Sequence, residues 1–149
     1  MWSEIATIIL ENNAIMEKFP DEIKNIIKRY FDNKLENITE IRMNINSPLL
    51  ILGQKEYIFN EIIITSHFLQ QTIKSLTNNS LYSYEREILN GYFTIEGGHR
   101  VGVAGKFTSD RNQIVSVNNI TGLNIRIAKN IEGISFKLID KLVKSNAIY

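Results

Sequence analysis

Cysteine is absent from this 149-residue chain, which rules out disulfides, cysteine-ligated zinc and a thiol nucleophile together and fits a reducing compartment. Proline is scarce as well, at two residues, and glycine numbers only eight, too few for a linker-rich or fibrous chain. An excess of one charge sign is missing: 17 Lys and Arg stand against 16 Asp and Glu. No strong overall field is therefore available to gather nucleic acid or anionic lipid, which leaves only a local basic patch as a route to either. Long apolar runs are lacking too. "IIL" at Ile8 to Leu10 and "III" at Ile62 to Ile64 fall far short of the roughly 18 residues a membrane span needs. With Glu4 and no early Lys or Arg, the N-terminus does not read as a signal peptide. These absences together predict a soluble, intracellular chain with no direct membrane insertion.

What is present suits an ordered domain. Apolar residues make up 44% and charged residues 22%, and a chain of this length can bury about 68 to 70% of its extended surface. A helix is expected over Ser3 to about Lys18, carrying Ile5, Ile8, Ile9 and Met16, with Asn12-Asn13 as a break. Pro20 then opens "PDEIKNIIKRYFDN", where Ile23, Ile26, Ile27, Tyr30 and Phe31 recur at helical spacing and Asp21 and Glu22 occupy the first turn.

From Ile38 the period becomes two: Ile41, Met43 and Ile45 face one way and Glu40, Arg42 and Asn44 the other. Ser47-Pro48 turns the chain, and "LLIL" and "KEYIF" follow as strands around Gly53. "TSHFLQQTIKSLTNN" predicts a helix capped by Thr65 or Ser66, with Phe68, Leu69, Thr72, Ile73 and Leu76 inward. A shorter helix runs from about Ser83 to Asn90-Gly91. Strands are expected at Gly91 to Glu96, Arg100 to Phe107, Gln113 to Val117 and Leu123 to Ala128, with "TSDRNQ" as a turn, and a closing helix in "SFKLIDKLVKSN". The fold class is α/β, more closely α+β: a mainly antiparallel sheet with helices packed on it and helices ahead of it. The organisation reads as a helical segment over 1–37, a sheet domain over 38–132 and a final helix over 133–149.

The stretch "GYFTIEGGHRVGVAG", Gly91 to Gly105, holds five of the eight glycines and runs into Lys106. It is not a Walker-type phosphate loop: Arg100 stands where the first glycine belongs and Phe107 where the metal-binding hydroxyl belongs. The alternation of Val101, Val103 and Phe107 makes it a β-hairpin instead. A three-residue loop, Gly97-Gly98-His99, would pair Ile95 with Val101 and Phe93 with Val103, set Glu96 opposite Arg100, and leave Arg100, Gly102, Ala104 and Lys106 on the non-core face. Strand Leu123 to Ala128 puts Asn124 and Arg126 on its own non-core face, so Arg100 and Arg126 share a side if the strands are neighbours. Two cations would then border residues nearly without side chains, where an anion or another backbone could approach closely. An ordinary cross-strand ion pair between Glu96 and Arg100 explains the same residues without any ligand. His67 and His99 have no metal-ligand companions at suitable spacing. Tyr82, Tyr84 and Tyr92 suit packing better than base stacking, so no nucleic-acid partner is expected.

"YSYEREILNGYFTIEGGHRVGVAGKF" with "ITGLNIRIAKNIEG" and "EIRMNINSPLLI" closely resembles the N-terminal region of the stage III sporulation protein AA family of endospore-forming bacteria. The likeness spans most of the chain, the first 19 residues or so excepted. It implies a PAS-like front domain related to those of the hexameric ATPases of type II and type IV secretion and pilus retraction. In that family a nucleotide-binding core begins just after a segment like "LIDKLVKSNAIY", and this chain stops there. The resemblance implies no enzyme activity and no cofactor in this chain alone. ATP and Mg would belong to a full-length, homohexameric ATPase in the mother-cell cytoplasm, partnered by its own core, by neighbouring subunits and by membrane components of a transport complex. It also implies that Arg100 and Arg126 contact nucleotide phosphate; the hairpin reading adds Glu96 and Lys106 as supporting charges and Gly97, Gly98, Gly102 and Gly105 as the glycines that shape the hairpin.

Overall fold

In a computed structural model of the chain, residues 2–4, 14–107 and 115–128 are described. The expected turn at "TSDRNQ", most of the first helix with its Asn12-Asn13 break, and the closing helix over 133–149 lie outside them, although residues 2–4 and 14–18 are helical. Helix α1 is Asp21–Tyr30. Its ends obey helix electrostatics, with Asp21 and Glu22 in the first turn and Lys28 and Arg29 in the last. Asp32 and Asn33 stop it in the left-handed region, where the Asn33 N–H reaches back to the Ile27 carbonyl at 3.0 Å. Helix α2, Ser66–Leu76, starts as its sequence requires: the Thr65 hydroxyl accepts from the Phe68 N–H at 3.0 Å. A 3-10 turn over Leu81–Tyr84 leads into the short α3, Glu85–Leu89.

Six strands, β1 (Glu40–Asn44), β2 (Pro48–Leu52), β3 (Glu56–Ile63), β4 (Tyr92–Ile95), β5 (His99–Gly105) and β6 (Ile120–Arg126), form one sheet in the order β3-β2-β1-β6-β5-β4. Every neighbouring pair is antiparallel, so the class is α+β. On one face Ile51, Ile41, Ile125, Val101 and Phe93 form a continuous buried row across five strands. Helix α2 packs against β6, and Ile23, Ile26 and Ile27 of α1 join the same hydrophobic cluster. Tyr84 closes on Phe93 with ring centroids 4.8 Å apart. Of the α2 residues expected inward, Leu69, Thr72, Ile73 and Leu76 are buried and Phe68 is half-buried.

The glycine-rich segment is a hairpin, with a register two residues from the one the apolar pattern suggested. Ile95 faces His99 and Phe93 faces Val101, so the loop is Glu96-Gly97-Gly98, closed by the Gly98 N–H on the Ile95 carbonyl at 3.0 Å. Gly97 and Gly98 take φ of 95° and 81°, values that side-chain-bearing residues rarely adopt. A slip of two preserves which residues face the core. It nevertheless moves His99 from the loop into β5 with no exposed surface, and it takes Glu96 away from Arg100, which faces Thr94. The expected strand over Gln113 to Val117 is also revised. Residues 115–116 are not strand and Val117 begins a 3-10 turn, because the Val115 N–H is taken by the Glu85 carboxylate at 2.9 Å rather than by a neighbouring strand.

Gly105 sits at a β-bulge after Ala104. A Cβ there would collide with the Asn119 carbonyl oxygen and press on the Phe107 ring at 3.0 Å. Gly105→Ala is therefore expected to lower stability by about 1 to 3 kcal/mol, since backbone must move to admit the methyl. Equilibrium urea unfolding measures this, and an unchanged midpoint would show that the bulge yields freely.

Candidate functional site

The face turned away from the core carries two polar rows. In the first, Leu52, Glu40, Arg126, Arg100 and Thr94 lie side by side on successive strands. In the second, Ile58, Leu50, Arg42, Asn124, Gly102 and Tyr92 do the same. Arg100 and Arg126 are thus direct cross-strand partners on one exposed face. Like charges placed opposite each other are unfavourable in a sheet, so the pair needs compensation from nearby.

The compensation is incomplete. The Arg100 guanidinium stacks over the Tyr92 ring, 4.4 Å from its centroid, an attraction of about 0.5 to 1 kcal/mol at exposed sites. Among the described residues it has no carboxylate within salt-bridge distance. Arg126 Nε lies 3.6 Å from Oε1 of Glu40, whose Oε2 accepts a 3.0 Å hydrogen bond from Arg42 Nη2. Two guanidiniums, those of Arg126 and Arg42, therefore share one carboxylate, which is only 5% exposed. The sequence pattern contained Glu40 and Arg42 but gave no sign that they join the arginines. The signal would have been the pairing of β1 with β6, two strands about eighty residues apart in sequence.

Beside this cluster lies a depression of about 360 Å³ floored by Gly102, Ala104 and Gly122 and walled by Arg42, Asn44 and Asn124. Arg100 and Arg126 border its row rather than line it. The Oδ1 of Asn124 is shielded there without a hydrogen-bond partner among the described residues. The bareness of the floor has two origins. At Gly122 a Cβ would stand 2.6 Å from Asn44 Oδ1 and 3.3 Å from the Met43 carbonyl oxygen, so the sheet's own packing disfavours it. At Gly102 a Cβ would meet nothing nearer than 3.7 Å, so the fold does not demand the glycine.

The other candidates are not gathered here. Lys106 lies beyond the end of β5 opposite to Arg100, roughly 20 Å along a strand of this rise. Glu96 is exposed in the hairpin loop, and Gly97 and Gly98 shape the turn only. A larger hollow of about 660 Å³ includes Lys18, Glu22, Glu61 and His67 but takes no residue from β5 or β6. His99 lies on the core side: its Nδ1 accepts the Ala128 N–H at 3.0 Å, and its Nε2 is buried without a partner among the described residues. Loss of solvation on burial pulls its pKa down from 6.5 to about 4. Among the described residues no cluster of His, Asp and Glu could hold a metal ion, and no helix is long and apolar enough to cross a membrane.

Comparison with known proteins adds three findings. The family model for sporulation stage III, protein AA matches residues 11–148. The stage III sporulation protein AA of Bacillus subtilis is 31% identical over 134 residues, which are 90% of this chain and 44% of that protein. The chain thus spans less than half the length of this curated relative. The X-ray structure of the Legionella pneumophila ATPase DotB aligns over 70% of this chain and 29% of its own, with 12% identity and a TM-score of 0.40.

Proposed function

The chain belongs to the sporulation stage III protein AA family, and from that premise we propose that it is the regulatory and assembly domain of a secretion-type ATPase whose arginines, Arg100 and Arg126, meet the phosphates of nucleotide held by a separate core. The observation that carries this reading is the placement of two guanidiniums opposite each other on an exposed sheet face where, among the described residues, Arg100 has no carboxylate within ion-pair distance and Arg126 has one that it shares with Arg42. A guanidinium forks onto two phosphate oxygens at once, and an anion between two such groups relieves their repulsion. Gly102, a glycine the fold does not require, keeps the adjoining surface low enough for another domain to approach. Closing this face on bound nucleotide would tie nucleotide state to domain position. On this reading ATP and Mg belong to the core, the assembly is a homohexamer in the mother-cell cytoplasm, and its turnover energises a transport complex through membrane partners. The chain by itself does not hydrolyse ATP.

In a protein extended through the core, Arg100→Ala and Arg126→Ala are each expected to remove most ATP turnover, by about 10³-fold if they act as arginine fingers do, while the oligomer still forms in analytical ultracentrifugation. Magnesium-dependent turnover by the isolated 149-residue chain would contradict the reading.

A second reading has its own support. Leu50 and Leu52 are half-buried and Ile58 is 55% exposed on the same face, and the Asn124 Oδ1 has no donor among the described residues. A docking surface for a neighbouring subunit or a membrane component uses such groups without any nucleotide. The same substitutions separate the two, because lost assembly with unaltered turnover per assembled particle favours docking.

A further inference from the structure

Among the described residues Glu40 has two cationic partners of unequal kind. Arg42 Nη2 makes a true hydrogen bond to Oε2 at 3.0 Å, whereas Arg126 Nε stands 3.6 Å from Oε1, an oxygen that accepts no hydrogen bond among the described residues. The exposures follow the same order: the Arg126 side chain is 66% exposed, that of Arg42 47% and that of Glu40 6%. One partner is bonded, and the other only leans on the carboxylate. Resting on the phosphate reading of Arg126, we infer that Glu40 is a built-in counter-anion that holds Arg126 when no phosphate is present and releases it to phosphate presented by a docked core.

The release is possible because Arg42 stays behind. Taking the last cation from a shielded carboxylate leaves an uncompensated buried charge, which is strongly unfavourable. Here the departing Arg126 leaves the 3.0 Å bond from Arg42 in place, so Glu40 remains paired in both states. The carboxylate also repels an incoming anion. A unit charge some 7 Å away near a protein surface, after screening, lowers phosphate affinity by about tenfold. Free phosphate in solution therefore meets a weakened site. Phosphate fixed on a docked core arrives at high effective concentration and overcomes the same handicap. The arginine face would accordingly respond to docked nucleotide and ignore dilute anions.

Calorimetric titration of the full chain with inorganic tripolyphosphate at low ionic strength tests this. Glu40→Gln keeps the shape and an oxygen for Arg42 but removes the charge, and it is expected to bind about tenfold more tightly than the unsubstituted chain. Adding Arg126→Ala to Glu40→Gln is expected to abolish that gain. Glu40→Asp withdraws the charge by one methylene and is expected to show a smaller gain, which serves if the Gln variant does not fold. Equal affinities across these chains, with Arg100→Ala still weakening binding, overturn the counter-anion and leave the phosphate reading standing. A gain that survives Arg126→Ala also overturns it, because Glu40 would then act only as general surface charge. If no chain binds tripolyphosphate, both readings fall.

Discussion

Acidification from pH 7 to pH 4 is expected to remove up to about 3 kcal/mol of stability through His99 alone. In the unfolded chain the imidazole titrates near 6.5, whereas in the fold burial holds it at about 4. Between those values the unfolded state binds the extra proton, so stability rises with pH across the window. The contribution is fully present above about pH 6.5 and is lost progressively as pH falls toward and through 4. One pKa unit corresponds to about 1.4 kcal/mol, which bounds the whole effect near 3. The structural cause is specific. Nδ1 accepts the Ala128 N–H, and a proton placed there would set donor against donor. His99→Asn offers an oxygen to Ala128 and has no proton to gain, so its stability should change less with pH over this window. Carboxylates titrating in the same range are common to both chains and cancel in the comparison. Parallel losses in urea-unfolding experiments from pH 6.5 to pH 4 would refute the assignment.

The largest mechanical loss is expected from Phe93→Ala, at about 3 to 5 kcal/mol. Phe93 has no exposed surface, ends the buried row that crosses the sheet, and packs against the Tyr84 ring. Truncation opens a cavity at the point where the short edge strand β4 and the 3-10 turn before α3 meet the core. Domains of this kind are stable by about 5 to 15 kcal/mol in total, so the variant should unfold at much lower urea. A loss below about 1 kcal/mol would mean that β4 is not part of the cooperative unit.

The faces of the strands were legible because alternation has a period of two. Phe93, Ile95 and Val101 lie on the core side as read, and Arg100 and Arg126 share the opposite one. Register was not legible to better than two residues, since a slip of two leaves every face unchanged. That ambiguity placed His99 in a loop and gave Glu96 to Arg100. The cap at Thr65 was readable because its cause is local, a hydroxyl three residues before a free N–H. Glu40 was not, because its partner Arg126 arrives from a strand distant in sequence. The apolar alternation at Val115 and Val117 pointed to a strand, but a side-chain carboxylate had already claimed the Val115 N–H.

The central seat of β6 has a mechanical consequence. It is laced to β1 on one side and to β5 on the other, so tension applied through the backbone after Ala128 would load two ladders in shear instead of peeling a single edge. The domain would then move as a rigid lever, with Arg126 carried at the end of the strand nearest the pull.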